Sequence, residues 1–272
     1  MAILSFCAAF AVILCCALGP QVQPPRYDHI IIVVEENHSA AQMIGSPYLA
    51  SLTARGASFG RMFGITHPSQ PNYFALFSGS TQGIRDDRRY DISAPNLAIS
   101  LIAAGLTFAA YSEGLPSAGD RVYTSGRYVR RHNPCASFTN APNSVNLPFT
   151  SFPSADYSRL PTVSFVIPNM DNDMHDGSVL AGDAWLQANL NGYAQWAVAH
   201  NSLLIVTFDE CWGADSPSTT PIATIFVGAG VRHIVSDQPA TLYSILRLVE
   251  DIHGLAYLGA EASAPVIEGV WE

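Results

Sequence analysis

The chain has 272 residues, 49% of them apolar, with 13 Lys+Arg against 22 Asp+Glu and a formal net charge of −9. That composition is globular rather than disordered or collagen-like. Every one of the 13 cations is arginine, which excludes Schiff-base, pyridoxal and Walker-A chemistry, and the acidic balance argues against a grip on nucleic-acid phosphates.

Residues 1–19 read as a leader. Ile3 to Leu18 is an almost unbroken apolar run, followed by Gly19, Pro20 and the polar stretch Gln21 to Arg26. This is the pattern of a secretory signal peptide, or of an anchor if it stays uncleaved, although no Arg or Lys precedes it. It puts a single domain, residues 20–272, in a secreted or periplasmic location, with membrane contact only through an uncleaved leader or a lipid substrate. Its removal discards Cys7, Cys15 and Cys16, after which Cys135 and Cys211 either pair or stay as two buried thiols.

Beyond the leader, short β-branched runs alternate with helical patterns, as parallel strands joined by crossover helices do. The strand candidates are Ile30 to Val34, Thr107 to Tyr111, Thr162 to Ile167, Leu203 to Phe208 and Thr224 to Val227. Each is apolar on both faces, as a central parallel strand must be. Helices are expected over Pro47 to Arg55, Asn72 to Phe77, Asn96 to Ala104, Asp183 to Ala199 and Ala240 to His253, several of them stopped by a glycine. Asp120 to Arg159, rich in Pro, Asn and Ser, reads as an irregular excursion over one sheet edge.

Three of the strands run into ionisable residues at their carboxyl ends: Glu35, Glu36, Asn37 and His38; Asn169, Asp171, Asp173, His175 and Asp176; and Asp209 with Glu210. In an open parallel sheet those ends form one rim, where ligands bind. Glu36, Asn37, Asp209 and Glu210 offer hard oxygen donors without sulfur, a set suited to Mg, Ca or Mn, or to Zn or Fe if histidines join. Ser69, in His67-Pro68-Ser69-Gln70-Pro71-Asn72-Tyr73, falls at a helix start. It is either an N-cap or a nucleophile activated by a metal ion, with its substrate phosphate resting on free helix amides; the company of the oxygen donors favours the second. Tyr73, Phe74, Phe77, Trp185 and Trp196 read as packing residues.

The segments Glu35-Glu36-Asn37-His38-Ser39, His67 to Tyr73 with Ser78-Gly79-Ser80-Thr81, Tyr128 to Phe138, Asn169 to Asp176, Gly182 to Leu186 and Thr207 to Glu210 resemble the bacterial phosphoesterase family of secreted acid phosphatases and phospholipases C. The match runs from about Asp28 to Gly259. It implies an alkaline-phosphatase-like α/β fold, a central mostly parallel sheet with helices on both faces in a three-layer sandwich. It also implies a phosphomonoesterase that uses a divalent metal ion and a phosphoserine intermediate, acting on small phosphorylated substrates or phosphoinositide head groups. Residue by residue, Glu36, Asn37, Ser69, Asp209 and Glu210 look like the metal ligands, with Ser69 the nucleophile. Asn72, His132 and His175 look like phosphate-binding or proton-handling groups, and Asp173 and Asp176 like their supports at the substrate. The family often has a histidine in the last helix; here Leu242 stands in its place, with His233 as the candidate replacement. Two rival functions share the scaffold, a phospholipase C-type phosphodiesterase and a secreted binding protein without turnover. A sulfatase is disfavoured, because its pattern needs arginine where Tyr73 stands. Histidine acids, with an unperturbed pKa of about 6.5, would suit an acidic pH optimum.

Overall fold

Strands that are apolar on both faces must be covered on both, and the chain does this with helices. The computed structural model describes residues 23–272; the leader, with Cys7, Cys15 and Cys16, lies outside the described residues. The strands are β1 (His29–Glu35), β2 (Ala57–Phe59), β3 (Met62–Phe63), β4 (Phe108–Ser112), β5 (Thr124–Ser125), β6 (Tyr128–Val129), β7 (Asn146–Pro148), β8 (Val163–Ile167), β9 (Ser202–Phe208), β10 (Thr224–Gly228), β11 (Ile234–Ser236) and β12 (Ala240–Thr241). The helices are α1 (Pro47–Thr53), α2 (Ser69–Ser78), α3 (Leu97–Ala103), α4 (Pro134–Ser137), α5 (Val179–Ala199) and α6 (Leu242–His253).

Eight strands form the central sheet in the order β11-β2-β10-β9-β1-β8-β4-β7. β1, at its heart, is parallel to both β8 and β9. On one face α5 packs against β9 and β10 with α1 beside it; on the other α2 packs among α6, α3 and α4. The architecture is therefore a helix-sheet-helix sandwich. All ten residues of α2 are buried, so this helix is a core element whose apolar character continues all the way round.

All five expected strands are present, but one runs the other way. β10 is antiparallel to β9 and to β2. The connection from Asp209 to Ala223 contains no helix, so the chain has no crossover with which to return parallel and folds back beside β9 instead. The excursion after Asp120 is also more ordered than its composition suggests. Its strand β7 pairs with β4 and closes one edge of the sheet. α2 begins at Ser69, three residues before the expected start, because a proline in the first helical turn forgoes only an amide that has no intrahelical partner. α5 likewise starts early, at Val179, where the Ser178 side chain accepts the Ala181 N–H.

Asp183 shows how the two faces are tied down. From α5 its carboxylate accepts the N–H groups of Tyr48 (2.8 Å) and Leu49 (2.9 Å), capping α1 in place of a local side chain. At the far end of α2, the left-handed Gly79 carbonyl accepts the N–H of Ala260, drawing the C-terminal segment onto the core. Two carboxyl groups are buried there, Glu261 beside Gly79 and Glu250 on α6, and neither oxygen of Glu250 makes a well-formed hydrogen bond. Burial, and then the charge of Glu261, push Glu250 up to about 8. A carboxyl group whose folded pKa is raised holds its proton more tightly when folded. Its stabilising contribution is thus full below the ordinary carboxylate range and is lost as pH rises toward 8. We predict that urea midpoints of the wild-type protein fall between pH 5 and pH 8, and that Glu250→Gln flattens this slope. An unchanged slope in the variant would assign the pH dependence elsewhere.

Candidate active site

β1 and β9 run in register with Glu35 opposite Phe208, so the next residues, Glu36 and Asp209, leave the sheet side by side. The backbone then turns sharply at Asn37, a non-glycine residue at φ 55, which brings its N–H to Asp209 Oδ1 at 3.0 Å. The Glu210 N–H donates to the same oxygen at 2.7 Å. The other oxygen, Oδ2, is buried without a partner.

The first turn of α2 meets this pair from the side. Ser69 does not cap its helix; Pro68 occupies the N-cap position. The Ser69 hydroxyl instead makes a short hydrogen bond to Glu36 Oε1 and lies 3.4 Å from Glu210 Oε1. One turn further along the same helix face, the Tyr73 hydroxyl donates to Glu36 Oε2 at 3.0 Å. The Tyr73 ring is stacked on His132, with centroids 5.1 Å apart. His132 in turn spans two carboxylates, its Nε2 3.0 Å from Glu36 Oε1 and its Nδ1 3.2 Å from Asp173 Oδ2. The other oxygen of Asp173 accepts the His175 N–H at 2.8 Å.

These contacts set the charges. Burial opposes ionisation of Glu36, but the imidazolium of His132 outweighs it and holds the carboxyl down at about 2. Burial likewise opposes a charge on His132, yet Glu36 and Asp173 raise it to about 9. Asp209 has no such partner. Burial, followed by the charges of Glu36 and Glu210, pushes it far above the carboxylate range. Glu210 is raised to about 9 by burial and then by the charges of Glu36 and Asp87. One imidazolium therefore neutralises one of three carboxylates, and the other two are left protonated or in want of a cation.

Above this buried layer opens a cleft of about 630 Å³, lined among others by Asn37, His67, Ser69, Asp87, His175 and Trp212. His175 borders it with Nδ1 2.7 Å from Asp176 Oδ1, and Asp176 is held by Arg127 at 2.5 Å. Asp173 and Asp176 thus orient the histidines instead of facing the cleft themselves. Asn72, expected at the phosphate, is fully buried with its carboxamide committed elsewhere. Its oxygen accepts the N–H groups of Ile65 (2.9 Å) and Thr66 (3.1 Å), and its Nδ2 donates to Thr66 O (2.8 Å) and Glu210 Oε2 (3.0 Å). It is a positioning residue for Glu210. At the start of α2 the Gln70 N–H is not free for an anion, since it donates to Asp87 Oδ1 at 2.9 Å.

Three side chains not singled out from sequence complete the site. His67 holds Glu210 from the opposite side, with Nδ1 2.8 Å from Oε2, while its Nε2 lies 2.7 Å from the Asp215 carbonyl. Asp87 lines the cleft. Tyr73, read as a packing residue, does pack, but its hydroxyl also secures Glu36; its spacing of four from Ser69 was the available signal. Leu242 is buried in the core, and His233 is exposed away from the cleft, so it does not replace the absent histidine. Cys135 and Cys211 are both buried and unpaired.

Comparison with known proteins gives the family. The model of the Phosphoesterase family matches residues 46–256. The chain belongs to the Phosphoesterase family. This phosphoesterase is 45% identical over 253 residues to a phosphatidylinositol-3-phosphatase of Mycobacterium tuberculosis, an alignment covering 91% of this chain and 84% of the relative. It is 30% identical to an acid phosphatase of Aspergillus fumigatus over 80% of this chain and 53% of the relative. A probable acid phosphatase of Kluyveromyces lactis is also 30% identical, over 70% of this chain and 49% of the relative. The phosphoesterase therefore spans only about half the length of these two fungal proteins. Among solved structures, a protein in the alkaline phosphatase superfamily from Vibrio parahaemolyticus aligns with TM-score 0.60 at 14% identity, covering 90% of this chain and 72% of that one. That likeness establishes an alkaline-phosphatase-like fold.

The geometry separates two roles for Asn72. If it positions the turn before Ser69, Asn72→Ala removes buried hydrogen bonds and destabilises the protein by about 2–4 kcal/mol in urea unfolding. A residue reserved for phosphate would leave stability within about 0.5 kcal/mol of wild type.

Proposed function

We propose that this phosphoesterase hydrolyses phosphate monoesters in a metal-dependent reaction, with Ser69 as nucleophile and a phosphoserine as intermediate. The observation that carries this reading is the Ser69 hydroxyl at the floor of the cleft, directed at two carboxylates of a buried cluster in which the His132 imidazolium holds only Glu36 ionised, while Asp209 and Glu210 are raised. The donor chemistry suits a hard divalent cation, while among the described residues no group of three or more His, Cys, Asp or Glu side chains is already gathered at coordinating positions. Asp209 Oδ2 is orphaned and buried, the carboxyl groups of Asp209 and Glu210 are raised by mutual repulsion as well as burial, and all the donors are oxygens. Glu36, Asn37, Ser69, Asp209 and Glu210 would hold the ion. When bound, such an ion lowers the pKa of a hydroxyl it touches and neutralises charge on phosphate oxygens.

The chain's own residues account for the rest. Glu36 is braced by Tyr73 and His132, and Glu210 by His67 and Asn72, so the groups around the serine are fixed before substrate arrives. Ser69 attacks phosphorus, its hydroxyl proton passing to the Glu36 carboxylate that accepts its hydrogen bond, and the seryl oxygen–phosphorus bond forms as the bond to the ester oxygen breaks. His175, with Nδ1 held by Asp176, keeps Nε2 for protonating that oxygen. Water then attacks phosphorus and releases inorganic phosphate and the serine hydroxyl. The phosphatase relatives support a monoester, and the mycobacterial relative supports a phosphoinositide among the substrates. The apolar stretch Ile3 to Leu18 supports export of the protein.

The test is hydrolysis of p-nitrophenyl phosphate by purified protein. We expect Ser69→Ala to lose at least about a thousandfold in kcat, and a chelator to abolish turnover until one divalent ion restores it. A brief reaction quenched in acid should yield a phosphopeptide containing Ser69. Activity within tenfold of wild type in the serine variant, or indifference to the chelator, rejects the proposal.

A further inference from the structure

The neighbourhood of Ser69 is strongly acidic, and so is the protein as a whole, yet its substrate would be an anion. Arginine is distributed in a way that answers this. Seven of the 13 arginines lie between Arg85 and Arg131, and the segment Arg85-Asp86-Asp87-Arg88-Arg89 is fastened directly to the residue after the nucleophile. Gln70, which is 1% exposed, makes three bonds to it. Its N–H donates to Asp87 Oδ1 (2.9 Å), and its Nε2 donates to the carbonyls of Asp86 (3.0 Å) and Arg88 (2.8 Å). The Tyr123 hydroxyl, from the next excursion, also reaches the Asp87 carbonyl at 3.4 Å. A surface loop with no task beyond connection does not need a buried glutamine at the nucleophile to hold it.

Most cations of this region are already engaged. Arg88 pairs with Asp86 at 2.6 Å, Arg127 with Asp171 and Asp176, and Arg130 with Asp91, while Arg131 Nε stands 4.0 Å from Asp87 Oδ2. Arg121 donates to the carbonyls of Ala136 and Ala141. Arg85 and Arg89 are different. Both are exposed, and neither makes an ion pair or a side-chain hydrogen bond among the described residues. In the chain they stand two residues to either side of Asp87, and Asp87 lines the cleft.

We propose that Arg85 and Arg89 form a receptor for a second anionic group of the substrate, a phosphate other than the one transferred to Ser69. The inference rests on the phosphomonoesterase reading above and narrows it to substrates with two phosphates on one scaffold. Guanidinium groups suit this task because they stay charged and present paired N–H donors to phosphate oxygens. The head group of phosphatidylinositol 3-phosphate has this form, with a monoester phosphate and a diester phosphate on one ring. A soluble inositol bisphosphate offers the same two groups without the lipid.

The experiment compares kcat/KM for vesicles containing phosphatidylinositol 3-phosphate, for soluble inositol 1,3-bisphosphate and for p-nitrophenyl phosphate. The proteins are wild type, the double variant Arg85→Ala with Arg89→Ala, and the double variant Arg85→Lys with Arg89→Lys. The expected result is a fall of about tenfold or more, carried by KM, in the ratio of two-phosphate to p-nitrophenyl activity for the alanine pair, with substantial rescue by the lysine pair. A fall for both inositol substrates assigns the contact to the phosphate itself; a fall for vesicles alone assigns it to the membrane-borne group. A ratio unchanged in both arms, or a loss in kcat without KM, overturns the proposal. Should the wild-type protein fail to hydrolyse p-nitrophenyl phosphate, the function proposed above fails separately. Calorimetric binding of inositol 1,3-bisphosphate to Ser69→Ala, with and without the alanine pair, then decides the arginine contact by itself: weaker binding without the arginines supports it, and equal binding overturns it.

Discussion

Burying Glu36, Asp209 and Glu210 around one serine hydroxyl is the constraint to which the rest of the molecule answers. Ionised carboxylates withdrawn from water are tolerated only with partners, and here His132 serves Glu36, His67 and Asn72 reach Glu210, and Asp209 Oδ2 has none. Such an arrangement opposes folding unless the surrounding structure leaves it no alternative. Parallel registration of β1 with β9 provides that rigidity, because neighbouring strand ends in the middle of a fully covered sheet cannot splay apart. Stability comes from the sheet and its helices, and the site draws on it.

The same logic explains why so many side chains near Ser69 face away from the cleft. Asn72, Tyr73, His67 and His132 each bond to a carboxylate of the cluster, and each is anchored in turn by backbone or by stacking. α2 supplies three of the contacts, from positions 69, 72 and 73, because a helix places residues three and four apart on one face. Its complete burial leaves the first turn no freedom to drift. Preorganisation of this kind is what lets fixed groups act on a transition state without reorganising first.

Reading the sequence recovers the scaffold better than the details of the site. β1, β8 and β9 were legible because continuous apolar runs mark strands covered on both faces, and their polar ends marked the rim. The direction of β10 was not, since a run apolar on both faces looks alike whichever way it points; only the helix-free connection from Asp209 to Ala223 carried that information. Short strands such as β2 and β7 have too few residues to show a period. Within the site, the carboxylates and Ser69 were visible as chemistry-bearing types at element ends. The role of Asn72 was not, because a carboxamide that binds phosphate and one that binds backbone are the same residue in the same motif. Only the third dimension shows where its donors and acceptors are spent.

The departures from the family resemblance point the same way. Leu242, where the resemblance leads to the expectation of a histidine, is core packing at the start of α6, and among the described residues His67, His132 and His175 lie at the site. The rings of His132 and His175 are 6.2 Å apart but differ in setting: His132 is sealed between Glu36 and Asp173, and His175 borders the cleft with one nitrogen held by Asp176. A sealed imidazolium serves as a fixed positive charge; an accessible imidazole can exchange a proton with what enters. The division follows from burial, and it underlies the roles proposed for the two, with His132 balancing charge and His175 transferring a proton.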